Sequence, residues 1–167
     1  MAKINLNQNR FFEPDKDTRS IARELYLNVK KLPIISPHGH VDPKILAEDK
    51  NFPNPSELLI MPDHYIFRMF YSQGIKLESL GIPTKDGSKI EANPRKIWQI
   101  FCENYFLFSG TPTKMWLSYV FKEIFGIDDH PNENNSMKLY DYIQELLMQD
   151  RFKPRSMFDQ FNIETLC

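Results

Sequence analysis

Apolar residues recur at four-residue spacing over Ile21, Leu25 and Val29, behind a cap at Asp15 or Asp17, which predicts an amphipathic first helix. The period then changes. Leu32-Pro33-Ile34-Ile35-Ser36 is a short apolar run opened by proline and rich in β-branched residues, the pattern of a buried strand. It ends at Pro37-His38-Gly39-His40-Val41-Asp42-Pro43, where two prolines and a glycine force a loop. A helical block follows. Ser56 is read as the cap of a helix through Leu58 and Leu59, with a break at Pro62 and a restart over Tyr65–Tyr71, closed by Gly74. Thr84–Lys89 reads as a polar turn. Asn93-Pro94 places a cap and a first-turn proline ahead of Ile97, Ile100, Phe101, Tyr105 and Phe108, and Thr111-Pro112 repeats the device ahead of Met115, Tyr119, Val120 and Ile124. Ser136 opens a helix carrying Leu139, Ile143, Leu146 and Leu147, and Pro154 and Ser156 start a short turn. Phe161–Cys167 is a second apolar strand.

The order helix, strand, helical block, strand predicts an α/β fold. Two strands alone make no stable sheet, so both are expected to belong to a parallel sheet whose other strands lie beyond this sequence. The expected organisation is residues 1–43 as a helix and first strand, 44–154 as a helical insertion, and 155–167 as the start of a second strand.

Composition narrows the function classes. The 41% hydrophobic and 26% charged fractions are those of a soluble globular protein. With 21 basic and 22 acidic residues, the net charge of −1 gives no field to attract nucleic acid or an anionic membrane. No run approaches the ~20 apolar residues of a membrane helix, and no secretory signal pattern is seen. Cys102 and Cys167 cannot form a disulfide framework, which suits a reducing cytoplasm; Cys102, among Ile100, Phe101 and Tyr105, reads as a buried thiol.

The chemistry concentrates in His38-Gly39-His40. In an extended segment residues i and i+2 point to one side, so both imidazoles can reach one point, as two of the four ligands of a zinc ion or as substrate contacts. The alternative is a hydrogen-bonded pair in a turn. Position favours the first reading, because the C-terminal ends of parallel strands are where α/β proteins place their sites. On the helix restarting after Pro62, His64 and Arg68 are four residues apart, with Tyr65 on the neighbouring stripe. Such a trio can hold a polyhydroxylated anion, arginine pairing with its carboxylate; taken alone, it reads more simply as Tyr65 packed with Phe67 and Phe70 and His64 and Arg68 on the surface. His130 falls in a polar connection, and the aromatic series Trp98–Phe108 with Trp116, Tyr119, Phe121 and Phe125 reads as core. No phosphate-cradling glycine loop and no GxSxG elbow occurs.

Leu32–Pro43 with its HGH, Pro62-Asp63-His64-Tyr65-Ile66-Phe67-Arg68-Met69, Ser109–Leu117 and Phe158–Leu166 together resemble the beginning of the uronate isomerase (glucuronate isomerase) family. The resemblance implies an amidohydrolase-superfamily (β/α)₈ (TIM) barrel with the HxH at the end of its first strand and a helical insertion after it. It implies aldose–ketose isomerisation of D-glucuronate to D-fructuronate and of D-galacturonate to D-tagaturonate, in a cytoplasmic homo-oligomer. It makes His38 and His40 ligands of a divalent metal, zinc being the expected ion, and His64 and Tyr65 residues of the substrate site. Arg68 joins them as a carboxylate partner on spacing alone. No general base is assigned within these residues. A (β/α)₈ barrel needs roughly 250 residues, so residues 1–167 are expected to be an N-terminal fragment inactive by itself. A metal-dependent hydrolase of the same superfamily and a helical protein-binding module are the alternatives.

Overall fold

Side-chain caps, several followed at once by proline, start most of the α-helices in the computed structural model, which describes residues 3–167. Helix α1 (Lys16–Val29) begins at Asp15, whose carboxylate accepts from Thr18 N. Strand β1 (Ile34–Ser36) follows, then α2 (Pro43–Glu48), which the hydrophobic pattern does not predict and which Asp42 caps through Lys44 N. Helix α3 (Pro55–Leu59) is capped by Asn54, not Ser56. Ser56 lies inside the first turn, fully buried, and its Oγ donates to Pro94 O at 2.6 Å. The break at Pro62 is present, and α4 (His64–Ser72) restarts from Asp63, whose carboxylate accepts from Tyr65 N and Ile66 N. Helix α5 (Pro94–Glu103) starts from Asn93 as expected but stops short of Tyr105, and Tyr105–Phe108 forms a separate 3₁₀ turn. Helix α6 (Pro112–Tyr119) runs into a π turn at Val120–Ile124, closed by Phe125 N donating to Val120 O at 3.1 Å. Helices α7 (Ser136–Leu147) and α8 (Pro154–Gln160) lead to β2 (Ile163–Leu166).

The described residues form two units. One is helical, comprising 51–152 with residues 3 and 4, and its core is aromatic. Trp98, Phe101, Tyr105, Phe108, Phe121 and Phe70 are all buried, with edge-on or tilted rings, and Trp98 Nε1 donates to Ser136 O at 2.9 Å so that its polar atom is not stranded. The expected cysteine environment is found as well: Cys102 is buried, and burial pushes its thiol well above the usual range.

The other unit comprises residues 5–50 and 153–167. Its boundaries differ from the expected divisions at 43/44 and 154/155 because Arg155 ties α8 to α2. Its backbone amide donates to Asp49 Oδ1 at 3.0 Å, and its guanidinium donates to Leu46 O at 2.8 Å and Ala47 O at 3.0 Å. Strands β1 and β2 pair in parallel, Ile34 with Ile163, Ile35 with Thr165 and Ser36 with Leu166, with an irregularity after Ile34. The expectation of buried strands is not met: Ile34 and Ile35 are 49% and 63% exposed, since β1 and β2 are the whole sheet among the described residues. The apolar stripe of α1 is likewise exposed, at Ile21, Leu25 and Val29.

At the edge of the aromatic core the Lys114 ammonium lies 3.5 Å from the centroid of the Tyr105 ring. Burial pulls its pKa from 10.5 down to about 8. The folded chain therefore gives up this proton more readily than the unfolded one, and Lys114 makes stability rise with pH from about 8 towards 10.5. Tyr105 and Cys102, whose burial raises their pKa values, act in the opposite sense. The Lys114 contribution is thus read as a difference between two proteins. Urea unfolding of wild type and Lys114→Met between pH 7.5 and about 10 is expected to show wild type gaining on the variant as pH rises; a pH-independent difference would contradict it.

Candidate functional site

Two groups of sequence-selected residues occupy the two units, and each is described within its own. His38 and His40 follow β1 directly. Their Nε2 atoms are 3.1 Å apart and their rings nearly perpendicular, at 88°. Alternation along the extended chain brings both rings to the same side, as the spacing predicts. Both histidines are exposed. Two nitrogens bound to a tetrahedral zinc at about 2.0–2.1 Å would lie about 3.3 Å apart, so the observed separation is close to one edge of such a shell. The same pair can instead share a proton, one ring N–H donating to the other ring. Among the described residues no group of three or more His, Cys, Asp or Glu side chains gathers to complete a metal shell. The two imidazoles therefore fit half of one.

What places them is main chain. Ile34 N donates to Asn162 O at 2.8 Å and Cys167 N to Ser36 O at 3.1 Å, which locks β1 beside β2 up to its last residue. Ser36 Oγ then donates to His38 O at 2.9 Å, curling the loop over the strand end. Gly39 runs so near that a Cβ on it would meet Cys167 O at 2.8 Å and Leu166 Cδ1 at 3.2 Å. The glycine between the histidines thus leaves room for the end of β2.

The second group starts α4. His64 packs on Tyr65, ring centroids 4.3 Å apart at 32°. Tyr65 and Arg68 line a cleft of about 640 Å³ together with Met69 and Ser72, positions that share one face of the helix. The start of α6 forms the opposite wall, with Trp116, and Phe108 is the floor. Tyr65 and Arg68 line this cleft and His64 does not, although His64 adjoins it through the Tyr65 ring. Arg68 has no hydrogen-bond or ion-pair partner among the described residues.

Four residues depart from their expected places, among them Phe106 and Tyr119, assigned to the aromatic core but 66% and 47% exposed. Trp116, assigned to the core with Phe121 and Phe125, is 54% exposed and meets Tyr65 edge-on at 6.0 Å. Residues Thr113 and Leu117 carry the buried side of α6, and Trp116 faces away from it. Alternation within α6 was the available signal, masked because nearly every residue from Met115 to Phe121 is apolar or aromatic. His130, assigned to a solvated connection, is half-buried beside the Tyr105 ring, 5.9 Å between centroids, and burial lowers its pKa.

Residues 6–167 match the sequence profile of a family described as glucuronate isomerase. The chain is 49% identical over 161 residues to the uronate isomerase of Rhizobium meliloti (strain 1021), covering 96% of this chain and 34% of that protein. It is 46% identical over 163 residues to the uronate isomerase of Nostoc punctiforme, covering 97% and 34% respectively. Among solved structures, glucuronate isomerase from Caulobacter crescentus superposes with a TM-score of 0.92 at 44% identity over 98% of this chain and 34% of that one. Uronate isomerase from Thermotoga maritima shares the fold, with a TM-score of 0.76 at 24% identity over 89% of this chain and 31% of that one. The chain thus spans about a third of the length of the relatives it matches.

Gly39→Ala is expected to displace the HxH loop, because a backbone oxygen at 2.8 Å cannot yield as a flexible side chain would. Zinc titration followed by the His38 and His40 ring resonances should show affinity weakened by about tenfold or more, the range seen when groups supporting metal ligands are lost. Unchanged affinity would show that the loop does not depend on that close approach.

Proposed function

Because the chain belongs to the glucuronate isomerase family, we propose that it supplies the first third of an enzyme interconverting D-glucuronate with D-fructuronate and D-galacturonate with D-tagaturonate. The observation that carries the reading is the HxH pair held at the C-terminal end of β1 by the parallel β1–β2 pairing, in a chain similar to the uronate isomerases of Rhizobium meliloti and Nostoc punctiforme. In the same reading, β1 and β2 are the first two strands of a (β/α)₈ barrel and the helical unit is an insertion between them. The parallel pairing and the likeness to the Caulobacter crescentus enzyme support it. A barrel strand carries its chemistry at its C-terminal end, which is where His38 and His40 stand.

The reaction moves a proton between adjacent carbons of the sugar acid through an enediol-like intermediate, so an aldehyde at one carbon becomes a ketone at the next. Within each unit the residues bind and orient. His38 and His40 hold a divalent metal, for which both must be neutral with Nε2 unprotonated. When bound there, such an ion supplies Lewis-acid polarisation of a substrate oxygen. Arg68 offers a planar guanidinium with no competing partner to the substrate carboxylate. Tyr65 presents a phenol that can donate to or accept from a sugar hydroxyl, and His64, packed on the Tyr65 ring, fixes its orientation and adds a second such group. Among the described residues no helix is long and apolar enough to cross a membrane. A homo-oligomeric, cytoplasmic enzyme is the arrangement proposed for the whole protein.

In the whole protein that carries this chain, His38→Ala and His40→Ala are each expected to lower kcat/KM for D-glucuronate by about a hundredfold or more, since the polarising charge is worth several kcal/mol. Metal content after dialysis should fall in parallel. Near-normal turnover in both variants would remove the two histidines from the site. The 167-residue chain assayed alone is expected to convert no D-glucuronate, because two imidazoles leave half of a tetrahedral shell unfilled.

A further inference from the structure

Trp116 and Trp98 are the two tryptophans of the chain, and their surroundings differ sharply. Trp98 is fully buried with its N–H satisfied, whereas Trp116 keeps 54% of its surface in water at the mouth of the α4–α6 cleft. A broad apolar ring left in water costs free energy that a ligand's apolar face would recover. The ring is also held in place. Its edge contact with Tyr65, at 6.0 Å and 69°, and its position one turn into α6 aim the indole along the same cleft that Arg68 enters from α4. An unpaired guanidinium, a phenol and an exposed indole therefore share one cleft. The ligand chemistry that answers all three is an anion with hydroxyl groups and one C–H face, which is a sugar acid.

We propose that Trp116 is a substrate-binding residue of the hexuronate site, packing its indole against the C–H face of the sugar while Arg68 takes the carboxylate. The inference rests on the hexuronate reading given above and adds to it a residue that the sequence pattern assigns to the core. Stacking of this kind acts on bound substrate and product alike, so it lowers KM more than it raises kcat.

The test uses the whole protein that carries this chain, with steady-state kinetics on D-glucuronate and D-galacturonate. Trp116→Ala is expected to raise KM about tenfold, the change that ~1.4 kcal/mol makes, while kcat falls by less than about threefold. Trp116→Phe, which restores a ring and disturbs α6 less, is expected to recover most of the loss. It is the variant to read if the alanine protein loses helical circular dichroism. If wild type turns over a uronate while both variants keep the wild-type KM, the Trp116 assignment is overturned and the isomerase reading stands. If wild type turns over neither uronate, both fall together.

Discussion

The main-chain bonds from Ile34 N to Asn162 O and from Cys167 N to Ser36 O decide where β1 ends, and the chemistry of its unit follows from that end point. Strand pairing in parallel requires a long crossover, and here the crossover is the whole helical block, with its own core. Non-local pairing of this kind pays its chain entropy before it is rewarded, so the strands depend on each element that fixes them. Arg155 is one: its fork closes the C-terminal carbonyls of α2, which would otherwise be unsatisfied, against α8 immediately before β2. Asn162, at φ +53°, is another, turning the chain out of α8 into β2 while its side-chain amide donates to Lys31 O. Asparagine tolerates that left-handed conformation where most residues would not.

The two units are stabilised differently. The helical unit buries six large aromatic side chains completely, Trp98 among them, and pairs two of its buried polar atoms, Ser56 Oγ and Trp98 Nε1, with backbone carbonyls. The strand unit buries little. Ile34, Ile35 and the stripe Ile21, Leu25, Val29 remain in water, apolar surface that a barrel wall would cover in the proposed whole enzyme. The reading of these residues as 167 positions of one enzyme's first third therefore has an energetic counterpart, since the part richest in exposed apolar surface is the part that would form the barrel.

Helix starts were the most legible feature of the sequence, because a cap side chain and a following proline are local chemistry. Asn93-Pro94 and Thr111-Pro112 are found where the pattern puts them. The same device at Asp42-Pro43 and Asn54-Pro55 is harder to read, the first because α2 is short and carries too few apolar residues to show a period, the second because Ser56 offers a competing cap. Long-range effects were illegible for a different reason. Nothing local says that Ser56 must donate to Pro94 O, that Tyr105 must leave α5 for a 3₁₀ turn, or that the glycine of HGH faces the end of β2. At the site, His38 and His40 were legible because strand alternation is a rule of two residues, whereas Trp116 was lost in a segment apolar on all sides.

The loop that carries the two histidines is short and anchored at both ends, by the β1–β2 ladder on one side and by α2, which Arg155 latches to α8, on the other. A cation that takes both nitrogens would meet a single two-toothed ligand whose bite is set before it arrives. Its affinity would then be governed by the stiffness of the anchors more than by the basicity of the rings, in the way a chelate outperforms two free donors of equal strength. Loosening a latch with no contact to either imidazole, such as the Arg155 fork, would widen the range of separations that the two donors sample.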